Sequence, residues 1–166
     1  MPRRVSITGG DVLNQDSLFD AMSDDGVDTV IHLAAIRRES ADATFDDVHI
    51  GGARNVVEAM KRAKISRLIT VGCLGAEGRS PYPLLRSLGK SEEVVRASGL
   101  NFTVLKSAVV YGEGDWLTAW MSGMAKTVPF VMPVPHRGET KLQPIWVGDV
   151  AACVDRCMNL RQTFRQ

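Results

Sequence analysis

The chain has 166 residues, 45% hydrophobic and 23% charged, with 20 Lys and Arg against 19 Asp and Glu for a net charge of +1. That length fits one domain with a sizeable core, and the balanced charge excludes the strong field of a nucleic-acid or membrane-surface binder. No apolar run reaches the ~18 residues of a bilayer span, no signal-peptide pattern opens the chain, and three cysteines without metal spacing fit a reduced, cytoplasmic setting.

Short apolar runs alternate with amphipathic ones along the chain. "RRVSITGG" (3–10) predicts a strand. Residues 14–26 predict a helix with Asn14 at its N-cap and Gly26 at its exit. "DTVIHLAA" (28–35) predicts a buried strand. From 42 to 63, Phe45, Val48, Gly52, Val56, Met60 and Ala63 recur at spacings of three or four and predict one long helix with an apolar face. "SRLITVGC" (66–73) predicts a strand, residues 83–99 a helix ending in Gly99, and "NFTVLKSAVVYG" (101–112) a further strand. Residues 114–126 predict a short helix with Trp116, Trp120 and Met124 on one side, either core packing or an exposed apolar patch. A strand over 141–147 precedes a final helix, capped by Asp149, that would bury Val150, Val154 and Met158. Cys153 and Cys157, four apart on it, are expected to share a buried face.

Strands separated by helices imply an α/β fold, a Rossmann-like parallel sheet with helices on both faces and one domain over 1–166. Ligands gather at the carboxyl ends of such strands. The candidate binding residues are therefore Asp11 and Val12; His32, Leu33, Ala34 and Ala35; Val71, Gly72 and Cys73; and Lys106, Ser107, Ala108 and Val109. His32 reads as a core or wall histidine. Gly51 and Gly52 each cost a helix ~1 kcal/mol relative to Ala, which suits a close approach of backbone or ligand. In "SPYPLLRSLGKSEE" (80–93), Tyr82 and Lys90 raise the question of an acid–base pair, although eight residues separate them.

Five stretches carry a resemblance: "GDVLNQDSL", "VIHLAAIRRE", "FDDVHIGGARNVVEAMKRAKISRLI", "RASGLNFTVLKSAVVYGEGD" and "LQPIWVGDVA". In this order and spacing the chain resembles the extended and atypical short-chain dehydrogenase/reductases, the NAD(P)-dependent epimerase/dehydratase proteins. It is most similar to the branch that includes the nucleotide-binding accessory subunit of respiratory complex I. The resemblance implies NAD or NADP as cofactor, a small-molecule nucleotide as partner, and pairing as a homodimer through the helices at 42–63 and 83–99.

Departures from the family pattern change what the resemblance implies. The family's opening strand and glycine-rich loop, which hold the pyrophosphate at a helix N-terminus, have no counterpart in the chain. "TGGDVLNQD" carries Val12 and Gln15 where that loop needs glycines. The family's catalytic Ser, Tyr and Lys positions fall on Gly72, Leu84 and Leu88, and Ser107 replaces a proline of the nicotinamide pocket. Tyr82 and Lys90 remain as an off-register catalytic candidate pair. A Tyr without a nearby cation is poorly placed for acid–base work. The expectation is a nucleotide binder of weak or lost cofactor affinity and weak or no catalysis. The alternative is a non-catalytic structural, regulatory or protein-binding module. With the family's first two strands missing, residues 5–9 are expected to pair in parallel with residues 29–33, with a strand from a second chain, or a fold unstable in isolation, as the alternatives.

Overall fold

The computed structural model describes residues 5–23, 26–127, 139, 141–160 and 163–165. Three parallel strands make the central sheet: β1 (Thr29–His32), β2 (Arg67–Cys73) and β3 (Asn101–Ser107), in the order β1-β2-β3. Thr29 lies opposite Arg67, and Arg67 opposite Asn101. A two-stranded parallel ladder joins β4 (Val110–Tyr111) to β5 (Ile145–Trp146). The helices are α1 (Gln15–Met22), α2 (Gly52–Arg62), α3 (Pro83–Ala97), α4 (Trp116–Thr127) and α5 (Val147–Asn159). A π-helical segment, Asp46–Gly51, runs without a break into α2.

The strands sort their side chains by the twofold alternation of a pleated chain. Leu68, Phe102 and Val104 face one way and pack with Val56, Val57, Met60 and Val95 of α2 and α3. Ile69, Val71 and Leu105 face the other and meet Val154 and Cys157 of α5. Helices thus cover both faces, as expected of a parallel sheet. α1 packs on α2, and Asn14 caps it by accepting from the Asp16 and Ser17 N–H groups at 3.0 and 3.1 Å.

Five expectations are corrected. Residues 5–10 form no strand, and nothing among the described residues pairs with the outer edge of β1. Val5 and Ile7 are 90% and 97% exposed. Residues 3 and 4 of that run lie outside the described residues. The reason is where the following residues are tied. Asn55 Nδ2 donates to the Val12 carbonyl at 2.8 Å, and Leu13 N–H donates to Asp11 Oδ1 at 2.9 Å. A Cβ on Gly52 would lie 3.3 Å from that of Val12. The entry to α1 is anchored to α2, not to β1.

The long helix of 42–63 begins at Asp46 as a π-helix. The strand over 141–147 contracts to Ile145–Trp146. Trp146, not Asp149, precedes the last helix, and Asp149 sits in its first turn. On that helix Val154 and Cys157 are buried, Val150 is half-buried, and Cys153 and Met158 are exposed, because the latter two lie on either side of the stripe that Val150, Val154 and Cys157 form. Trp116 and Trp120 are about half exposed, and the Arg37 guanidinium lies 4.4 Å over the Trp116 ring.

Candidate functional site

The carboxyl ends of β1 and β2 open onto a narrow cavity beneath α3. His32, Leu33, Ala34 and Ala35 form one wall, Val71 and Gly72 the floor, and Leu88, Ser91 and Glu92 the helical side. Its free space is about 40 Å³, room for a water or two rather than a ring. The wider space lies beyond. A groove of about 660 Å³ runs along Cys73, Leu74, Ala108 and Val109, with Lys141, Leu142 and Gln143 opposite. That is the size of a small-molecule site. Nine of the expected binding residues divide between an inner cavity and an outer groove, while Asp11, Val12, Lys106 and Ser107 line neither.

Most of the polar members are held by a partner. Ser107 Oγ donates to the Gly72 carbonyl at 3.2 Å. Lys106 Nζ turns to Glu92 Oε2 at 3.0 Å, while Arg96 donates twice to Glu92 Oε1 at 2.9 and 2.8 Å. The Glu92 side chain is only 11% exposed, so two cations balance a carboxylate beside the cavity. His32 is buried, and burial first, then repulsion from His49, pushes its pKa below the ordinary 6.5. The Cys73 thiol donates to the Leu74 carbonyl at 3.3 Å. Asp11 is exposed, its carboxylate accepting Leu13 N–H.

Tyr82 and Lys90 are not brought together. Tyr82, 67% exposed, precedes α3, which begins at Pro83. Lys90 lies about 12 Å further along the axis and lines a different groove, with Asp46, Asp47, Arg54 and Glu93. The cavity instead receives Leu88. A Cβ on Gly72 would lie 3.6 Å from Val104 Cγ1, an ordinary contact, so the floor has room for a small side chain. Gly72, Leu84 and Leu88 have no side-chain proton to give.

A dinucleotide needs a wall for its rings and donors for its pyrophosphate. Leu33, Ala34 and Ala35, with the groove, suit the first. The second is not met at the entry to α1: Asn14 Oδ1 already takes the Asp16 and Ser17 N–H groups, Asp11 Oδ1 takes that of Leu13, and Ser17 Oγ takes that of Asp11.

Reading the sequence missed the contact between α3 and the π-helical segment. His49 Nδ1 lies 2.8 Å from Ser87 Oγ, both fully buried. Thirty-eight residues separate them, and no local pattern links a mid-helix serine to a distant histidine. The π-helix itself, a form that gathers at functional sites, had only the Gly51-Gly52 pair as its signal.

The comparisons with known proteins agree with this geometry. A family model described as NAD(P)H-binding matches residues 1–117. The chain is 32% identical over 145 residues to the Arabidopsis thaliana mitochondrial NADH dehydrogenase [ubiquinone] 1 alpha subcomplex subunit 9, covering 87% of this chain and 35% of that protein. It is 30% identical over 124 residues to an Escherichia coli O157:H7 N-acetyl-alpha-D-glucosaminyl-diphospho-ditrans,octacis-undecaprenol 4-epimerase, covering 63% of this chain and 37% of that one. The chain thus spans a little over a third of the length of these relatives. In fold it is similar to the crystal structure of a Staphylococcus aureus nucleoside-diphosphate-sugar epimerase, with a TM-score of 0.75 at 21% identity, covering 96% of this chain and 52% of that one.

Proposed function

This chain belongs to the NAD(P)H-binding family, and from that premise we propose that it is an epimerase/dehydratase-like nucleotide-binding protein of the extended short-chain dehydrogenase/reductases that binds NAD or NADP weakly and transfers no hydride by itself. The observation that carries the reading is the pairing of a ring-sized groove and the Leu33–Ala35 wall with Gly72 and Leu88 at the floor and helix positions. The rings have somewhere to lie, and Gly72 and Leu88 have no proton to offer a substrate oxygen.

In this reading Leu33, Ala34, Ala35 and Val71 wall the nucleotide. Cys73, Ala108 and Val109 line the groove that would take its reactive end. Asp11 and Val12 meet the base, and Lys106 acts through Glu92. Tyr82 and Lys90 carry no chemistry as a pair. A second reading, a non-catalytic module within a larger assembly, is favoured by Gly72, Leu84 and Leu88, none of which has a side-chain proton to give. It draws support from the Arabidopsis relative, a subunit of NADH dehydrogenase by its name.

We also propose that two copies pair through the π-helical segment with α2 and through α3. There Ile50, Val94 and Ala97 are flanked by Arg54 and Lys90 of one sign and Asp46, Asp47 and Glu93 of the other. Such a surface can be complementary to itself across a twofold axis. A cytoplasmic setting goes with the reduced cysteines. The test is titration of the chain with NADH and NADPH, followed by hydride-transfer assays on carbonyl substrates. Binding without turnover is the expected result.

A further inference from the structure

His49 stands at the joint between the candidate site and the helices behind it. It is 1% exposed, sits in the π-helical segment, and stacks on Phe45 with ring centroids 5.5 Å apart. Its Nδ1 meets Ser87 Oγ on α3. Its Nε2 lies 3.1 Å from the Ile36 N–H nitrogen and 3.1 Å from the Ile36 carbonyl oxygen. Ile36 follows Leu33, Ala34 and Ala35, the wall of the cavity. One ring nitrogen thus faces both a donor and an acceptor of the same residue.

The protons can be assigned by counting. Ser87 has one hydroxyl hydrogen and gives it to the Leu84 carbonyl at 2.9 Å. Nδ1 must then be the donor to Ser87 Oγ, which leaves Nε2 bare to accept Ile36 N–H. This tautomer makes three hydrogen bonds. The other neutral tautomer makes two, and strands Ile36 N–H. Adding a proton to Nε2 turns it from acceptor to donor, so it must release Ile36 N–H and take the Ile36 carbonyl.

We propose that His49 is a positioning residue that latches the turn after β1 and exchanges its grip on Ile36, from N–H to carbonyl, when it takes up a proton. The groups around it frame that exchange. β1 brings His32, whose charge would oppose a second one. Its own segment brings Asp46, which favours the charged ring. α3 brings uncharged Ser87, with Glu92 lining the same cavity. The preceding loop brings Glu39, whose carboxylate is taken by Phe45 N–H. Burial holds the His49 pKa below the ordinary 6.5, so the latch rests in its N–H-accepting state at neutral pH. Its consequence for affinity rests on the nucleotide reading, but the latch can be read with no ligand at all.

The test is nitrogen-15 NMR on the full chain without nucleotide from pH 8 to pH 5. The expected result is an Nδ1-protonated His49 at pH 8 and an Ile36 amide that shifts along the His49 titration curve. Loss of that one hydrogen bond should lower the protection of the Ile36 amide, taken relative to the intrinsic exchange rate at each pH, about tenfold. His49→Gln should remove the pH response of Ile36. The proposal is overturned by an Nε2-protonated ring at pH 8, or by an Ile36 amide that ignores pH or follows His32 instead. It is overturned equally by a ring still neutral at pH 5, or by a response that survives in His49→Gln. Should that variant fail to fold, the wild-type tautomer and titration decide alone.

Discussion

Replacing Arg67 by Met should loosen the base of the sheet and leave the candidate site untouched. Arg67 opens β2 and is 5% exposed. Its guanidinium donates to the Cys157 carbonyl at 2.7 Å, the Thr163 hydroxyl at 3.0 Å and the Asn101 carbonyl at 3.1 Å, with the Phe164 ring 4.4 Å away. It ties β3 and the end of α5 to β2. Three bonds from a charged donor are worth roughly 1.5–3 kcal/mol each before offsets. Two offsets are visible. Nε finds no partner among the described residues, a buried polar atom whose loss recovers ~1–3 kcal/mol. Met also fills the stem's volume without a charge to desolvate. A net loss of ~2–3 kcal/mol remains, and at a urea m-value of about 2 kcal/mol/M the midpoint should fall by about 1–1.5 M. Gly72 is five residues along the strand, about 16 Å away, so nucleotide affinity should hold. A midpoint within about 0.2 M of wild type would refute the clamp, and a lost affinity would refute its separation from the site.

Acid should destabilise the fold through His32 and His49. Both are held below the ordinary 6.5 by burial, so the unfolded chain takes up protons first as pH falls. Their contribution is whole above pH 6.5 and is lost below it, which thermal melts from pH 7.5 to 5 would register as a falling midpoint. Gly89→Ala should cost about 1–3 kcal/mol, because its Cβ would strike the backbone of Glu77 and Gly78; chemical denaturation measures it. Tyr82→Phe should leave nucleotide affinity unchanged, since the residue is exposed ahead of α3, and calorimetry on the variant checks this.

Much of the sheet was legible because β2 and β3 are covered on both faces, and the middles of 67–73 and 101–107 read as short runs of apolar and β-branched residues, Leu68 to Val71 and Phe102 to Leu105. α3 was legible to within two residues, with Pro83 opening it and Gly99 lying just past its end at φ +78°. "RRVSITGG" was not, because a β-prone run becomes a strand only beside a partner, and the Asn55 bond to Val12 ties the chain elsewhere. The candidate site was legible in its wall, since carboxyl ends of parallel strands are where ligands gather. Its division at Gly72 and Cys73 was not, because that depends on how α3 and residues 141–143 close over the strands. The His49–Ser87 contact joins residues 38 apart, a distance at which single-sequence patterns carry no pairing.

Calorimetric titration of the full chain with NADH and NADPH is the most direct test of the central claim. With wall and groove present but the α1 donors already taken, several charge-assisted hydrogen bonds of ~1.5–3 kcal/mol each are missing. Saturable binding is predicted no tighter than about 0.1 mM, near −5.5 kcal/mol. Micromolar affinity would mean that the pyrophosphate finds a cradle this account denies it. The absence of saturable heat into the millimolar range would mean that the wall and groove hold no nucleotide.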